Sequence, residues 1–198
     1  MATFNPAPQK CDFLTIVSGL PRSGTSLMMR MLETGGLPAL TDGVRQADRD
    51  NPRGYYEFEP AKRTKEDPSW LEGTNGTAAK MVYRLLFDLP GTGRYRVLVM
   101  RRNMAEILQS QRIMLERLGK TDDVPDKTMA AFFRIELEKF DKWIKQQPNF
   151  SVLEVWYNEL VNAPVPAVDR ICDFLELPLD RAAMCAMIDP ALYRNRAT

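Results

Sequence analysis

The sequence contains no histidine, and it has only three cysteines among its 198 residues. Without histidine, an enzyme has to take its general base from another side chain. Cys11, Cys172 and Cys185 are odd in number, scattered along the chain and without metal-ligand spacing. We therefore expect no metal site and a reducing compartment.

The chain also has little excess charge and no long apolar run. Its net charge is +1, which argues against general affinity for nucleic acid, so that any basic site must be local. No apolar run reaches the about 18 residues of a membrane span, and residues 1–10 have no signal-peptide core. These features favour a cytoplasmic protein with one domain over 1–198 and a loose tail over 1–10. Its oligomeric state is not indicated.

A glycine-punctuated turn, residues 19–26 with the sequence GLPRSGTS, is the most informative segment. The apolar run 13–18 before it predicts a buried strand, and the spacing of apolar residues after it predicts a helix over 25–34. Strand, turn and helix N-terminus together form an anion cradle of the P-loop type. The ATP-type loop has a lysine before its Ser/Thr, whereas here Thr25 precedes Ser26 and the cation is Arg22.

The rest of the chain alternates between predicted strands and helices. This alternation predicts a three-layer α/β/α fold with a central parallel sheet, whose ligand lies at the carboxyl ends of the strands. Between 41 and 68 the chain is polar, which predicts a long loop. The further strands are expected over 77–82, 95–100 and 150–156, and the further helices after Asn103, over 126–147, from Pro164 and from about Asp180.

The helix after Asn103 has a capping signal, because Glu106 follows three residues later. Its buried face is expected to carry residues 104, 107, 108, 115 and 118. Arg102 ends the preceding strand, and Ser110 lies about two turns into the helix. These two side chains could bind one phosphate. Ser110 on the helix surface is the alternative, and Arg101 could take the place of Arg102.

Residues 21–26 (PRSGTS) resemble the 5′-phosphosulfate loop of the sulfotransferases that use 3′-phosphoadenosine 5′-phosphosulfate (PAPS). Arg102-Asn103 with Ser110 is similar to the 3′-phosphate motif of that family, although Met104 stands where proline is common. The segment around Tyr157 resembles the Tyr-Glu-Asp-Leu segment of the family, whose tyrosine lies by the adenine end of PAPS. The matched pieces run from 16 to 196 in the order of the family.

The resemblance implies a P-loop NTPase-like sulfotransferase fold. It implies transfer of a sulfuryl group from PAPS to a hydroxyl or amine of a small-molecule or biopolymer acceptor, with 3′,5′-adenosine diphosphate (PAP) as product and no metal. The closing segment 189–196 also looks like sulfotransferase C-termini, so an arginine there could close over the nucleotide, or the tail could be solvated. The expected nucleotide-binding residues are Pro21, Arg22, Ser23, Gly24, Thr25, Ser26, Arg102, Ser110, Tyr157 and Arg194.

Two cations are expected to act in catalysis. Arg22 would neutralise the charge that develops on the departing phosphate, since arginine keeps its proton near neutral pH. Lys80 falls about where the family has the lysine of a Lys-Thr-His segment, and it would stabilise the transferring sulfuryl group. In this alignment Val82 occupies the position of the histidine.

The base must therefore be another group. Residues 51–57 (NPRGYYE) resemble the Asn-x-x-Gly-Tyr-x-Glu segment of many bacterial sulfotransferases, and this resemblance makes Glu57 the candidate. Glu59 and Asp42 are its rivals.

Two other functions remain open at this point. A P-loop kinase or other NTPase would need a lysine before Ser26 and a strand ending in aspartate for Mg²⁺. Residues 85–88 (LLFD) are the nearest match to such a strand. The second open function is that of a non-catalytic relative that binds PAPS or PAP, because the chain has no histidine.

Overall fold

The computed structural model describes residues 9–43, 54–120 and 124–189. The strands are β1 (Leu14–Gly19), β2 (Ala78–Val82), β3 (Tyr95–Arg101) and β4 (Phe150–Trp156). The helices are α1 (Thr25–Thr34), α2 (Glu59–Lys62), α3 (Met104–Arg117), α4 (Asp126–Ile144), α5 (Tyr157–Asn162), α6 (Pro164–Leu175) and α7 (Arg181–Ala186). Short 3-10 helices lie at Ser69–Leu71 and Tyr83–Asp88.

The strands form one parallel sheet in the order β2-β1-β3-β4. β1 lies between β2 and β3, so that its last residue, Gly19, pairs with Val82 on one side and Met100 on the other. Because all the strands are parallel, their carboxyl ends meet at one edge of the sheet, where ligands of such folds bind. The loop after β1 and Arg102 after β3 both lie at this edge.

Helices cover both faces of the sheet and make three layers. Val17 and Leu98 pack on one face with side chains of α1, α5, α6 and α7. Ile16 and Val97 pack on the other face with side chains of the 3-10 helix Tyr83–Asp88, α3 and α4. Burial on both faces explains why β1 and β3 are continuous apolar runs rather than alternating ones. The predicted α/β fold with a parallel sheet is confirmed.

The structure corrects two predicted segments. The polar stretch 41–68, predicted to be a loop, contains α2, while its residues 44–53 lie outside the described part. Of the predicted tail 1–10, residues 1–8 also lie outside it. Gln9 is not loose, because its backbone N–H donates to Gly76 O (2.9 Å) and its Nε2 donates to Gly36 O (2.8 Å).

Helix α3 matches its predicted start but not its whole predicted buried face. The Asn103 side chain caps it by accepting a bond from Ala105 N at 2.9 Å. Ile107 and Leu108 are buried as expected, whereas Leu118 is 57% exposed. The apolar residue at the end of the helix is therefore not part of the core.

In the three described ranges, no helix is both long enough and apolar enough to cross a lipid bilayer.

Candidate functional site

A cavity of about 970 Å³ lies at the carboxyl ends of the strands. Its volume is at the upper end of the range of about 300–1,000 Å³ that small-molecule sites span. Most of the residues that the sequence analysis selected border this one cavity: Pro21, Arg22, Gly24, Thr25, Ser26, Glu57, Lys80, Arg102, Ser110 and Tyr157.

Arg22 joins the loop after β1 to helix α3. Its Nε donates a hydrogen bond to Ser110 Oγ at 2.9 Å, across 88 positions of sequence. Ser110 is only 4% exposed, so it is not a helix-surface residue. Arg22 also has a φ of 71°, which is unusual for a residue other than glycine and stores about 1 kcal/mol or more of strain. Backbone strain of this kind is typical of functional loops.

Arg102 is held in place from several sides. Its Nη1 donates to Arg22 O at 3.1 Å, and its Nε donates to Glu106 Oε2 at 2.8 Å. Its guanidinium carbon lies 4.6 Å from the ring centre of Tyr157, within the range of a cation–π contact. The side chains of Arg102 and Glu106 are 9% and 5% exposed. The ion pair is therefore buried and fixes the plane of the guanidinium group.

The neighbouring Arg101 has different partners. Its Nη2 donates to Glu154 Oε1 at 2.8 Å and also to Asp141 Oδ1. Burial lowers the pKa of Arg101, but the hydrogen bonds to these carboxylates outweigh burial, and the pKa lies above its usual value. Arg101 is thus turned toward two carboxylates, whereas Arg102 shares a cavity wall with Arg22.

Gly24 lets the loop lie directly against Tyr157. Its φ is 101°, and a Cβ at this position would lie 2.4 Å from Tyr157 Cδ2. Tyr157 is 7% exposed, and burial raises its pKa. Gly24 also precedes α1 and provides no side-chain cap, so the N-terminus of α1 opens toward the cavity. A helix N-terminus of this kind attracts anions.

Ser23 has a different place from the one predicted. Its Oγ and its backbone N–H both donate to Leu20 O, at 2.7 Å and 3.2 Å. It is 1% exposed and lies beneath the loop. Ser23 therefore closes the turn from inside and does not border the cavity.

Lys80 and Ser26 meet at one carbonyl oxygen. Lys80 Nζ donates to Tyr55 O, and Ser26 Oγ donates to the same atom at 3.4 Å. The ammonium group also lies 5.8 Å from the ring centre of Tyr55. Tyr55 thus connects the middle of β2 to the start of α1.

The three candidate carboxylates have different surroundings in the structure. Glu57 borders the cavity and accepts a hydrogen bond from Lys62 Nζ at 2.8 Å. Glu59 lies 2.9 Å from the same ammonium group, with 56% of its side chain exposed. Asp42 Oδ2 accepts the backbone N–H of Glu59 at 2.6 Å, at the start of α2. Hydrogen bonds to Glu57 and then to Glu59 raise the pKa of Lys62.

Several residues of the site were not singled out in the sequence. Glu106 had a usable signal, because it lies in the first turn of α3, only four positions after Arg102, and opposite charges this close along the chain can pair. Asp189 borders the cavity as a further carboxylate; the sequence analysis placed it in the closing segment 189–196 but gave it no role. The predicted Arg194 lies outside the described residues.

The wall of the cavity is basic, although the whole chain is nearly neutral. Its charged residues are six cations and two carboxylates, in a chain with a net charge of +1. Such a local excess favours an anionic ligand. The residues are Arg22, Lys62, Lys80, Arg84, Arg102 and Arg117, with Glu57 and Asp189.

Three solved sulfotransferase structures share this architecture. The sulfotransferase domain from the curacin biosynthetic pathway has a TM-score of 0.54 at 15% identity and covers 92% of this chain and 89% of its own. Sulfotransferase STF9 from Mycobacterium avium has a TM-score of 0.55 at 15% identity, over 97% of this chain and 70% of its own. A sulfotransferase from Alicyclobacillus acidocaldarius has a TM-score of 0.51 at 12% identity, over 92% and 96%.

No protein-family model and no curated protein sequence matches the chain. At identities of 12–15%, the structural likeness establishes the fold alone. The α/β fold of this chain is the fold of these three sulfotransferases.

Proposed function

We propose that the protein is a sulfotransferase that moves a sulfuryl group from PAPS to the hydroxyl group of an acceptor. One observation carries this proposal: the two segments that we propose to bind anions, the loop after β1 and the stretch from Arg102 to Ser110, are bonded into one cluster. Arg22 donates to Ser110, and Arg102 donates to the backbone of Arg22. A ligand with two anionic groups, at the 5′ and 3′ positions of one nucleotide, matches such a pair of sites.

The residues present fit this donor. The N-terminus of α1 and Arg22 would bind the 5′ end, while Arg102 and Ser110 would bind the 3′-phosphate. Tyr157 would lie beside the base. The lack of a side chain at Gly24 lets the loop after β1 pack against Tyr157, and the basic wall would compensate the charges of the phosphates.

The donor supplies the sulfuryl group: a bond forms from the acceptor oxygen to sulfur, the bond from sulfur to the bridging oxygen breaks, and the electron pair stays on the phosphate of the departing PAP. The task of Arg22 is to neutralise the charge that develops on that oxygen, which needs no proton. Lys80, held by Tyr55 O, would neutralise the oxygens of the transferring group. Glu57 would accept the hydroxyl proton on a carboxylate oxygen.

A non-catalytic nucleotide-binding protein is the second candidate. The observation in its favour is the contact of Glu57 with Lys62 at 2.8 Å, because a neighbouring ammonium group stabilises the ionised carboxylate and weakens it as a base. A kinase or NTPase is less favoured. Thr25 occupies the place of the P-loop lysine, and Asp88 ends a 3-10 helix rather than a strand.

The test is calorimetric titration of the protein with PAP, with 5′-AMP and with ATP plus Mg²⁺. We expect PAP to bind without Mg²⁺ and more tightly than 5′-AMP. Arg102→Ala should reduce the preference for PAP over 5′-AMP by about 10–100-fold, which is the range for losing hydrogen bonds to a charged group. The matched control is Arg101→Ala, which removes a neighbouring arginine of equal burial and should leave this preference unchanged.

Equal binding of PAP and 5′-AMP, or a preference for Mg²⁺-ATP, would contradict the proposal. Turnover of labelled PAPS in a screen of acceptors separates the two candidates: transfer to any hydroxyl identifies an enzyme, and tight PAP binding without transfer to any acceptor identifies the non-catalytic protein.

A further inference from the structure

The cavity extends beyond the phosphate cluster along one face of helix α3. Ser110 is followed on this face by Ile113, Met114 and Leu118, at the spacing of successive helical turns, and all of them border the cavity. The eight helical steps from Ser110 to Leu118 span about 12 Å at the helical rise. Along this helix the wall therefore becomes mainly apolar, although Arg117 also borders the cavity.

A second part of the wall repeats this apolar character. The end of β2 and the following 3-10 helix contribute Val82 and Leu85, and the start of α2 contributes Phe58. Val82 is 42% exposed and Leu118 is 57% exposed. Exposed apolar side chains that line a shared cavity are typical of a ligand site rather than of a bare surface.

Lys62 and Arg84, two of the cations near this apolar part, have carboxylate partners, and Arg117 also borders the cavity. Lys62 contacts Glu57 at 2.8 Å, and Arg84 Nη2 lies 3.4 Å from Glu136 Oε2. Their charges are therefore already balanced in part within the protein. Among the described residues, this part of the wall consists mainly of apolar side chains, which cannot replace the hydrogen bonds that the hydroxyl groups of a sugar lose when they are removed from water.

We infer that the acceptor is a small alcohol or phenol whose hydroxyl group is carried on an apolar body. This inference rests on the proposed function and narrows its acceptor. The hydroxyl group lies toward Lys80 and Glu57, while the apolar body lies against Ile113, Met114 and Leu85. A sugar, with hydroxyl groups on every side, does not match this wall.

Binding of 2-naphthol, followed by its own fluorescence with PAP present and with PAP absent, tests the inference without any turnover. We expect saturable binding that a series of n-alkanols displaces, with affinity rising about fourfold for each added methylene group. Methyl glucoside should not compete. With labelled PAPS, kcat/KM should rise along the same alkanol series.

Two variants test where the apolar body of the acceptor binds. Met114→Gln, which keeps length and adds polarity, should weaken 2-naphthol binding about tenfold. Ile135→Asn removes an apolar side chain that is 53% exposed on α4 and should leave the binding unchanged. An equal response of both variants, displacement that does not depend on alkanol length, or preferred binding of the glucoside would each overturn the inference.

The outcome is separable from that of the proposed function. If PAP binds but the glucoside is the better acceptor, the acceptor class is wrong and the sulfotransferase stands. If PAP does not bind, but 2-naphthol binds and Met114→Gln weakens that binding, the apolar site is supported and the proposed sulfotransferase function is wrong.

Discussion

The two ends of the cavity are built in opposite ways. At the end proposed to bind the nucleotide (the nucleotide end), Arg22, Ser110, Arg102 and Glu106 form a continuous chain of hydrogen bonds, and Tyr157 packs against it. At the other end, apolar side chains of α3 and of the chain after β2 form the wall, and two of them are more than 40% exposed. One end is fixed by directional contacts, and the other is defined by shape and apolar area.

This difference matches the demands on the two proposed ligands. A group with fixed phosphate positions is recognised by hydrogen bonds with little tolerance for movement. An apolar body is recognised by the area it buries, and such contacts tolerate changes of shape. Substitutions at the nucleotide end should therefore change binding or turnover sharply, whereas those at the apolar end should change acceptor preference gradually.

The largest effect is expected for Arg22→Ala. It removes the guanidinium group proposed to stabilise the departing phosphate and also the bond to Ser110. We expect kcat to fall about 10²–10³-fold, as for loss of one preorganised donor in other active sites. Steady-state turnover of labelled PAPS at saturating acceptor measures it. Near wild-type turnover would contradict the role of Arg22, and the exposed Arg63→Ala serves as a control.

Glu57→Gln should have the next largest effect and tests the end of the cavity proposed to bind the acceptor. Loss of a general base costs about 10²-fold or more in kcat. We expect a decrease near about 10²-fold, because the contact with Lys62 makes Glu57 a weaker base. Because the carboxylate must be ionised to accept a proton, wild-type kcat should rise with pH along an acid limb. That limb should be absent in the variant.

The control for this prediction is Asp189→Asn, since Asp189 borders the same cavity. If Asp189→Asn removes the acid limb and Glu57→Gln keeps it, the proton goes to Asp189 instead.

The nucleotide end could be predicted from sequence because each of its segments is local. The loop after β1 is defined by glycine spacing, and Arg102 by its position at the end of a buried strand. Ser110 is placed by helical periodicity from there. A parallel sheet then brings these segments to one edge, and no detailed packing had to be known.

The apolar end could not be predicted in this way. Leu118 has the period of a buried helical residue, and periodicity alone does not distinguish a core from a cavity wall. The bond of Glu106 to Arg102 was also missed, because an Asn-x-x-Glu pattern at a helix start predicts a cap. In this fold the carboxylate of Glu106 instead pairs with a buried guanidinium group.

A smaller effect is expected for Gly24→Ala. The added Cβ would lie 2.4 Å from Tyr157 Cδ2, and alanine disfavours a φ of 101°. We expect a loss of about 1–3 kcal/mol in the free energy of unfolding, which corresponds to about 2–4 °C in Tm per kcal/mol at this chain length. Calorimetry measures it, with Gly91→Ala as the control because its Cβ would meet nothing within 4 Å.

Adding Tyr157→Ala to Gly24→Ala should recover part of this loss, since it removes the clash but not the backbone strain. No recovery would mean that the contact between the loop and Tyr157 is less tight than the structure indicates.

The smallest effect is expected for Glu106→Gln, and its sign decides what the buried ion pair does. Loss of the negative charge would strengthen the attraction of Arg102 for a phosphate, whereas loss of the 2.8 Å ion pair would loosen the orientation of the guanidinium group. We expect orientation to dominate, because two-pronged binding of phosphate by arginine depends on the plane of the group. PAP should bind about tenfold more weakly, a difference of about 1.4 kcal/mol, while 5′-AMP binding and kcat stay close to wild type.

The control is Glu116→Gln, because Glu116 is exposed on the same helix; this variant should change none of these values. Tighter binding of PAP by Glu106→Gln would show that Glu106 moderates the charge of Arg102 rather than positioning it.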